Sequence, residues 1–373
     1  MKTFNVFAMA AATLVLSLSS CSREESATSG SESYNVALQF RNASTRADGP
    51  AAVSGTTVKI VDGYIFFVSA NDAITKVYSI SSSPTTGSNI LNTDLSAMKL
   101  LEDVPGTSTQ VYMVSNMGTA AHLPAPEVGT TRTVYMANVM KVEDQGEYTE
   151  VTSVGNAPLD PHPTEPDRRT ATISLSTNVS RIQIKGITFE GDISGTVAGI
   201  FVNGYFPTMP LNGTSVAGTL VSSGSVESEY DENGTVAGKF PADLKTYVFD
   251  EVSTGFSAQT GVEDVVTPTT TNGVWGYNLF ASPTPQVIIK LTDVLVDGTP
   301  LAKDQFITIN GFKDTATDQP IINLAGGMIY TINTDKLVVK FENMSIIPGV
   351  TPIHVEVTVN PVRWEETEVT PNV

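Results

Sequence analysis

Apolar and polar residues alternate in short runs along most of the chain. Near the front, Tyr34, Val36, Leu38 and Phe40 alternate with Asn35, Ala37 and Gln39, the period of a strand with one buried face. Near the other end, Ile353, Val355, Val357 and Val359 alternate with His354, Glu356, Thr358 and Asn360. Between these rows the pattern predicts strands over 57–68, 74–80, 109–115, 134–142, 148–154, 168–176 and 179–189. Further strands are predicted over 275–280, 285–291, 305–310 and 328–340, rich in β-branched and aromatic residues and separated by Gly, Pro, Ser and Asn turns. Residues 95–101 fit a helical turn or a strand. No stretch has the spacing of an amphipathic helix of several turns. Many short strands between turns predict an all-β chain of packed β-sandwiches.

The segments between the strands suggest how the chain is divided. Residues 41–50 are small and polar, with Arg41, Arg46 and an Asp-Gly-Pro at 48–50, and read as an exposed loop open to proteolysis. Residues 157–167 hold four prolines and form a stiff connection that cannot be a central strand. From Gly191 onward the texture changes to apolar runs between glycine turns. A length of 373 residues suits two domains or one large β domain. The expected boundary lies near 190, with the proline loop as the alternative. Gly-Thr-Val-Ala-Gly occurs at 195–199 and again at 234–238; it reads as recurring turn chemistry rather than a structural repeat.

Charge and the N-terminus narrow the setting. The formal net charge of −18 argues against nucleic acid and against an anionic membrane surface as partners. Lys2 precedes an apolar stretch over 6–18 that is too short to span a bilayer comfortably and reads as a signal peptide over 1–20. It ends in Leu18-Ser19-Ser20-Cys21, which resembles the bacterial lipoprotein signal. That resemblance implies acylation of Cys21 and anchorage of the precursor in the outer membrane. Cys21 is the only cysteine, so neither an intramolecular disulfide nor a cysteine metal cluster can form.

The search for chemistry finds little. His122, His162 and His354 are the only histidines, and none has metal-ligand spacing. There is no Gly-x-Ser-x-Gly elbow and no phosphate-binding glycine loop. The acidic clusters at 143–147 and 231–232 lack the calcium-loop pattern. No catalytic residue, metal or cofactor is expected. Trp275 reads as core; Trp364 follows Pro361, on the opposite parity to the C-terminal row.

The two end rows do carry a mechanism. A sandwich that loses one strand exposes an apolar groove and an unpaired edge, and an incoming strand of matching alternation fills both. Four large side chains contribute at most about 6–12 kcal/mol before ordering costs. The other reading of the same rows is that each closes its own domain.

Taken together, these residues resemble the Bacteroidales fimbrillin family, which supplies shaft and tip subunits of lipoprotein-derived pili. The resemblance rests on the lipobox at 18–21, the strand at 34–40 with the Arg46 loop, the 110–115 strand running into Asn116, and Val179-Ser180-Arg181-Ile182. It also rests on the 275–291 block, the 326–331 segment and the alternating C-terminus with its tryptophan. It implies two tandem transthyretin-like β-sandwich domains with short helices in the connecting loops. The division is a signal peptide over 1–20, a propeptide with the first strand over 21–46, one sandwich over 47–190 and a second over 191–373. The second ends in a donor-strand tail over 353–373. It further implies cleavage between Arg46 and Ala47 by a maturation protease and loss of the strand bearing Tyr34, Val36, Leu38 and Phe40. The groove is then filled by another copy's Ile353, Val355, Val357 and Val359, with Trp364 beyond. The implied partners are other copies, other fimbrial subunits and a surface receptor. The rival expectation is a glycan-binding lipoprotein that stays anchored through Cys21 and is never cut.

Overall fold

The computed structural model describes residues 33–42, 57–58, 60–82, 89–93, 95, 98–117, 123–145, 150–213, 220, 249–251, 272–349, 351–361 and 363–364. Among these, strands dominate. The first half contributes β1 (Ser33–Asn42), β2 (Asp62–Ser69), β3 (Ile74–Ser81), β4 (Ile90–Asn92), β5 (Lys99–Pro105), β6 (Ser108–Ser115), β7 (Ser153–Pro158) and β8 (Arg168–Ser176). The second half contributes β9 (Val179–Gly186), β10 (Ile193–Asn203), β11 (Phe249–Glu251), β12 (Asn272–Phe280), β13 (Gln286–Val296), β14 (Gln305–Asp314), β15 (Met328–Ile332) and β16 (Pro352–Pro361). Helix is confined to connections: α1 (Arg132–Met136), capped by the Thr131 hydroxyl, and short 3-10 turns such as Val142–Gln145.

The strands form two large curled sheets, as the all-β reading anticipates. The first runs β4-β3-β2-β6-β7-β8-β1-β5 and the second β11-β10-β13-β14-β16-β15-β9-β12. In the first, Tyr78 on β3 reaches across to β5, near the opposite end of that order, and its hydroxyl donates to the Glu102 carbonyl at 2.6 Å. Burial and the carboxylates of Asp103 and Glu102 push the Tyr78 pKa up to about 12, so the phenol stays a neutral donor at any ordinary pH. Ile65, Phe67, Val111 and Met113 are buried on one face of this sheet, and Phe66 and Val114 on the other. Ile184, Ile200, Ile289, Ile307, Ile332 and Val357 are buried in the second.

The changeover between domains falls earlier than residue 190. Val179 already pairs with Phe280, and Arg181 with Ile329, so β9 belongs to the second sheet and the crossing point is Thr177–Asn178. The glycine-rich texture that begins at Gly191 marks turns within the second domain. The proline loop at 157–167 is a hairpin connection inside the first, where Asp160 and Pro161 pair back onto β8.

A buried line of polar side chains joins the two domains. Asn116, at positive φ, accepts from the Val61 amide and donates to the Val151 carbonyl. Its own carbonyl accepts from the Thr152 hydroxyl at 2.7 Å. Gln145 pairs with Thr152 twice, and the Thr152 carbonyl accepts from Thr177. Asn278 then donates to the Gln145 carbonyl while accepting from Arg181, at 3.2 Å, and Arg181 also reaches Gln183. Gln183 donates to Thr331 on β15. Buried polar groups are costly unless paired, so this chain of bonds fixes one relative placement of the domains. It gives a physical role to Asn116 and Arg181, which stand out in the sequence without an evident purpose. A second tie is Val139–Lys141 pairing with Thr208–Pro210.

Arg181 is 1% exposed and its guanidinium lies against Gly276, where a Cβ would overlap it. Gly276→Ala is therefore expected to displace Arg181 and lower stability by about 1–3 kcal/mol, read as a shift in the urea midpoint at unchanged slope.

Candidate functional site

The candidate site is the seat of β1. Its residues alternate as the sequence requires: Val36 and Leu38 are fully buried, and Tyr34 and Phe40 are half-buried at the two ends. Ala37 is shielded on the other face. The strand lies parallel to β8, from Asn35 opposite Arg168 to Asn42 opposite Leu175. It lies antiparallel to β5, with a bulge between Tyr34 and Val36 that faces Asp103 at positive φ. Its start is pinned by the Asn35 amide donating to the Asp167 carbonyl at 3.1 Å. The Arg169 guanidinium also sits over the Tyr34 ring, 4.4 Å from the centroid, a cation–π contact.

An N-terminal segment thus occupies an interior position of a sheet made otherwise from later chain. Among the described residues, β1 is the sole ladder partner of β5, which is the last strand in that order. Without β1 the sheet would hold a slot one strand wide, with β8 on one side and β5 on the other. The slot's floor would be apolar, because Ala171, Ile173, Leu175, Leu101 and Val104 are buried beside it. The alternation along the chain predicts β1 and β8, whereas 95–101, which overlaps β5, fits a helical turn or a strand. The apolar positions of β5, Leu101 and Val104, are spaced by the bulge and so break strict alternation.

The C-terminal row is placed differently from an appended tail. β16 is interior to the second sheet, parallel to β14 and antiparallel to β15. Val355 and Val357 are buried, while Ile353 and Val359 pack against the core from its margin. Arg363 and Trp364 pair through their backbone with Thr57 and Val58. The second domain uses the alternating row as one of its own core strands. On the polar face Lys336 meets Glu356 at 2.8 Å. That hydrogen bond and charge hold the Glu356 carboxyl below its ordinary pKa. A lowered carboxylate pKa favours the folded state above the unfolded value, and the contribution is lost as pH falls through the folded one.

Cys21, Arg46 and Ala47 lie outside the described residues, as does His122. Arg41 lies inside the ladder, opposite Ser174. His162 is half-buried in the proline loop, where its ring accepts from the Glu165 amide. His354 is exposed on β16, its ring against Gly311. Among the described residues there is no group of three His, Cys, Asp or Glu side chains placed to hold a metal ion. No helix among them is long and apolar enough to cross a membrane.

No protein-family model matches the chain, and no curated protein matches it in sequence. Solved structures do match in shape. A candidate cell adhesion protein from Bacteroides eggerthii superposes with a TM-score of 0.52 at 17% identity, over 90% of this chain and 98% of that one. One from Parabacteroides distasonis gives 0.51 at 12% identity, over 91% and 99%. The tip fimbrial protein Mfa3 from Porphyromonas gingivalis, truncated at its C-terminus, gives 0.45 at 9% identity, over 89% and 99%. The first two likenesses establish a shared two-domain all-β fold across nearly the whole chain.

A peptide bond held in a ladder resists proteases, which require an extended segment free to enter their cleft. Limited trypsin digestion of the folded protein is therefore expected to cut after Arg46 well before Arg41. N-terminal sequencing of the large fragment should give Ala47, and a dominant start at Asn42 would contradict the placement of Arg41.

Proposed function

We propose that this chain is a structural subunit of a cell-surface fimbrium, with no catalytic role. It is assembled by removal of its first strand and insertion of a strand from a neighbouring subunit. The observation that carries this reading is the seat of β1, an interior strand of the first sheet that precedes Arg46 in the sequence. Shape likeness to candidate cell adhesion proteins of two Bacteroidales species supports it. The precursor would be an outer-membrane lipoprotein held through Cys21, and its release would follow cleavage between Arg46 and Ala47 by a surface protease. Its partners would be other copies, other fimbrial subunits and a surface receptor.

The two end strands match in physical terms. Each spans ten residues and each has one parallel and one antiparallel neighbour. Aligned on their buried pairs, Val355 takes the place of Val36 and Val357 that of Leu38, with Ile353 at Tyr34 and Val359 at Phe40. The other rows then share the opposite face, where Glu356 falls at the shielded Ala37 position, whereas a one-residue slip would turn valines to water. Each fully buried aliphatic side chain contributes about 1.5–3 kcal/mol, and the two ladders satisfy the backbone of both walls. Valine at the Leu38 position leaves a smaller fill, so the exchanged strand would owe more of its hold to the ladders than β1 does.

The test is the N-terminus of the protein recovered from the cell surface, read by mass spectrometry. Filaments whose subunits begin at Ala47 are the expected result. Monomers that retain an acylated Cys21 would contradict the proposal and favour an anchored glycan-binding lipoprotein.

A further inference from the structure

The two domains share one strand order, although their sequences show no repeat. Counted from the start of each domain, β1 corresponds to β9, β2 to β10, β3 to β11, β5 to β12, β6 to β13, β7 to β14 and β8 to β15. In the first sheet these run β3-β2-β6-β7-β8-β1-β5, and in the second their counterparts run β11-β10-β13-β14-β15-β9-β12 once β16 is set aside. The sense of every shared ladder also agrees. β1 and β8 are parallel, as are β9 and β15. β5 and β1 are antiparallel, as are β12 and β9. The remaining neighbours are antiparallel in both sheets.

Among the described residues, the path of each large sheet then has one strand that the other lacks. In the first it is β4, at the sheet edge; in the second it is β16, in the middle. Where β7 and β8 bond directly, at Asn156–Ser174 and Gly155–Leu175, their counterparts β14 and β15 are held apart by β16. Because β16 is parallel to β14 and antiparallel to β15, those two strands already run antiparallel to each other. That is the sense in which β7 and β8 pair.

We propose that β16 is a wedge in an otherwise complete sheet of seven strands. When it leaves, β14 and β15 close on each other as β7 and β8 do. The destination of β16, the β1 slot of a second copy, rests on the function proposed above; the closure does not. Closing requires an approach of about 5 Å, one strand spacing. The strands that would meet are apolar, with Ile309 and Phe312 on β14 and Ile329, Tyr330 and Ile332 on β15. The β14–β16 ladder is itself irregular, with a register shift between Ile309 and Gly311. There the His354 ring fills the space a Cβ on residue 311 would need. Closure also resolves the apparent conflict between a strand that is core to its own domain and one available to another molecule. The unpaired edges left by β16 would satisfy each other, so the donor domain need not stay open.

The test uses a chain ending at Gly349, uncut after β1, and measures amide hydrogen exchange on β14 and β15. Closure predicts a folded monomer in which amides of Thr308–Asp314 and Met328–Ile332 keep protection within about tenfold of the full chain. Exchange of both strands about a hundredfold faster or more, in a molecule whose first sheet remains protected, would overturn the wedge. A second variant, Val357→Asp in the full chain, expels β16 without shortening the protein. Loss of protection on β16 alone supports closure, and loss on all three strands together overturns it. Since β1 stays in place in both chains, neither result depends on strand exchange. Failure of the protein to polymerise is read separately, on the protease-cut protein.

Discussion

The structure depends on the double ladder of β1. An extended segment from the front of the chain lies between β8 and β5 and satisfies the backbone of both. It also sets Val36 and Leu38 into the interior of the first domain. Ladder and side-chain burial favour the same register, because a slip of one residue would lose the apolar contacts even if the hydrogen bonds re-formed. β5 has β1 as its backbone partner among the described residues, and is otherwise held by the buried Leu101 and Val104 and by Tyr78. Removing β1 would therefore leave a slot walled by β8, still paired with β7, and by β5, without a ladder partner among the described residues. Such a slot retains the hydrophobic term and the unpaired amides that make strand addition favourable.

The second domain meets the same requirement with its own chain. β9 takes the place of β1 between β15 and β12, and Thr177 leads directly into it from β8. The hydrogen-bonded line from Asn116 through Gln145, Asn278 and Arg181 to Thr331 keeps the two sheets from turning relative to each other. The domains thus repeat a strand order while doing different things with it. One seats a strand from the front of the chain between β8 and β5, and the other holds an extra strand between two that are already oriented to pair.

Much of this is legible in the amino-acid pattern. The alternation at 34–40 and 353–359 gives strands, faces and burial, because period-two burial follows from backbone geometry alone. Asn116 and Arg181 stand out as residues, but the network they build joins positions far apart in sequence, which no local pattern reports. The domain boundary is displaced because a change in glycine content marks turns, not changes of sheet. β5 is obscured by its bulge. The shared strand order is invisible because ladder sense and neighbour choice depend on long-range pairing, and different side chains can meet the same demands. The regular C-terminal row is consistent with a tail and with a core strand alike. Only its neighbours, β14 and β15, show that it is packed at home.

The central claim is that the seat of β1 accepts a strand with the alternation of β16. The most direct measurement takes protein cut in the loop, strips it of β1 under mild denaturant, and returns it to native buffer with a labelled peptide spanning 352–361. The account predicts saturable binding of one peptide per molecule, prevented by the 33–42 peptide, with protection returning to the amides of β8 and β5. Protein that refolds with those amides protected and binds neither peptide would show that the sheet closes without a replacement strand, and the account would fail.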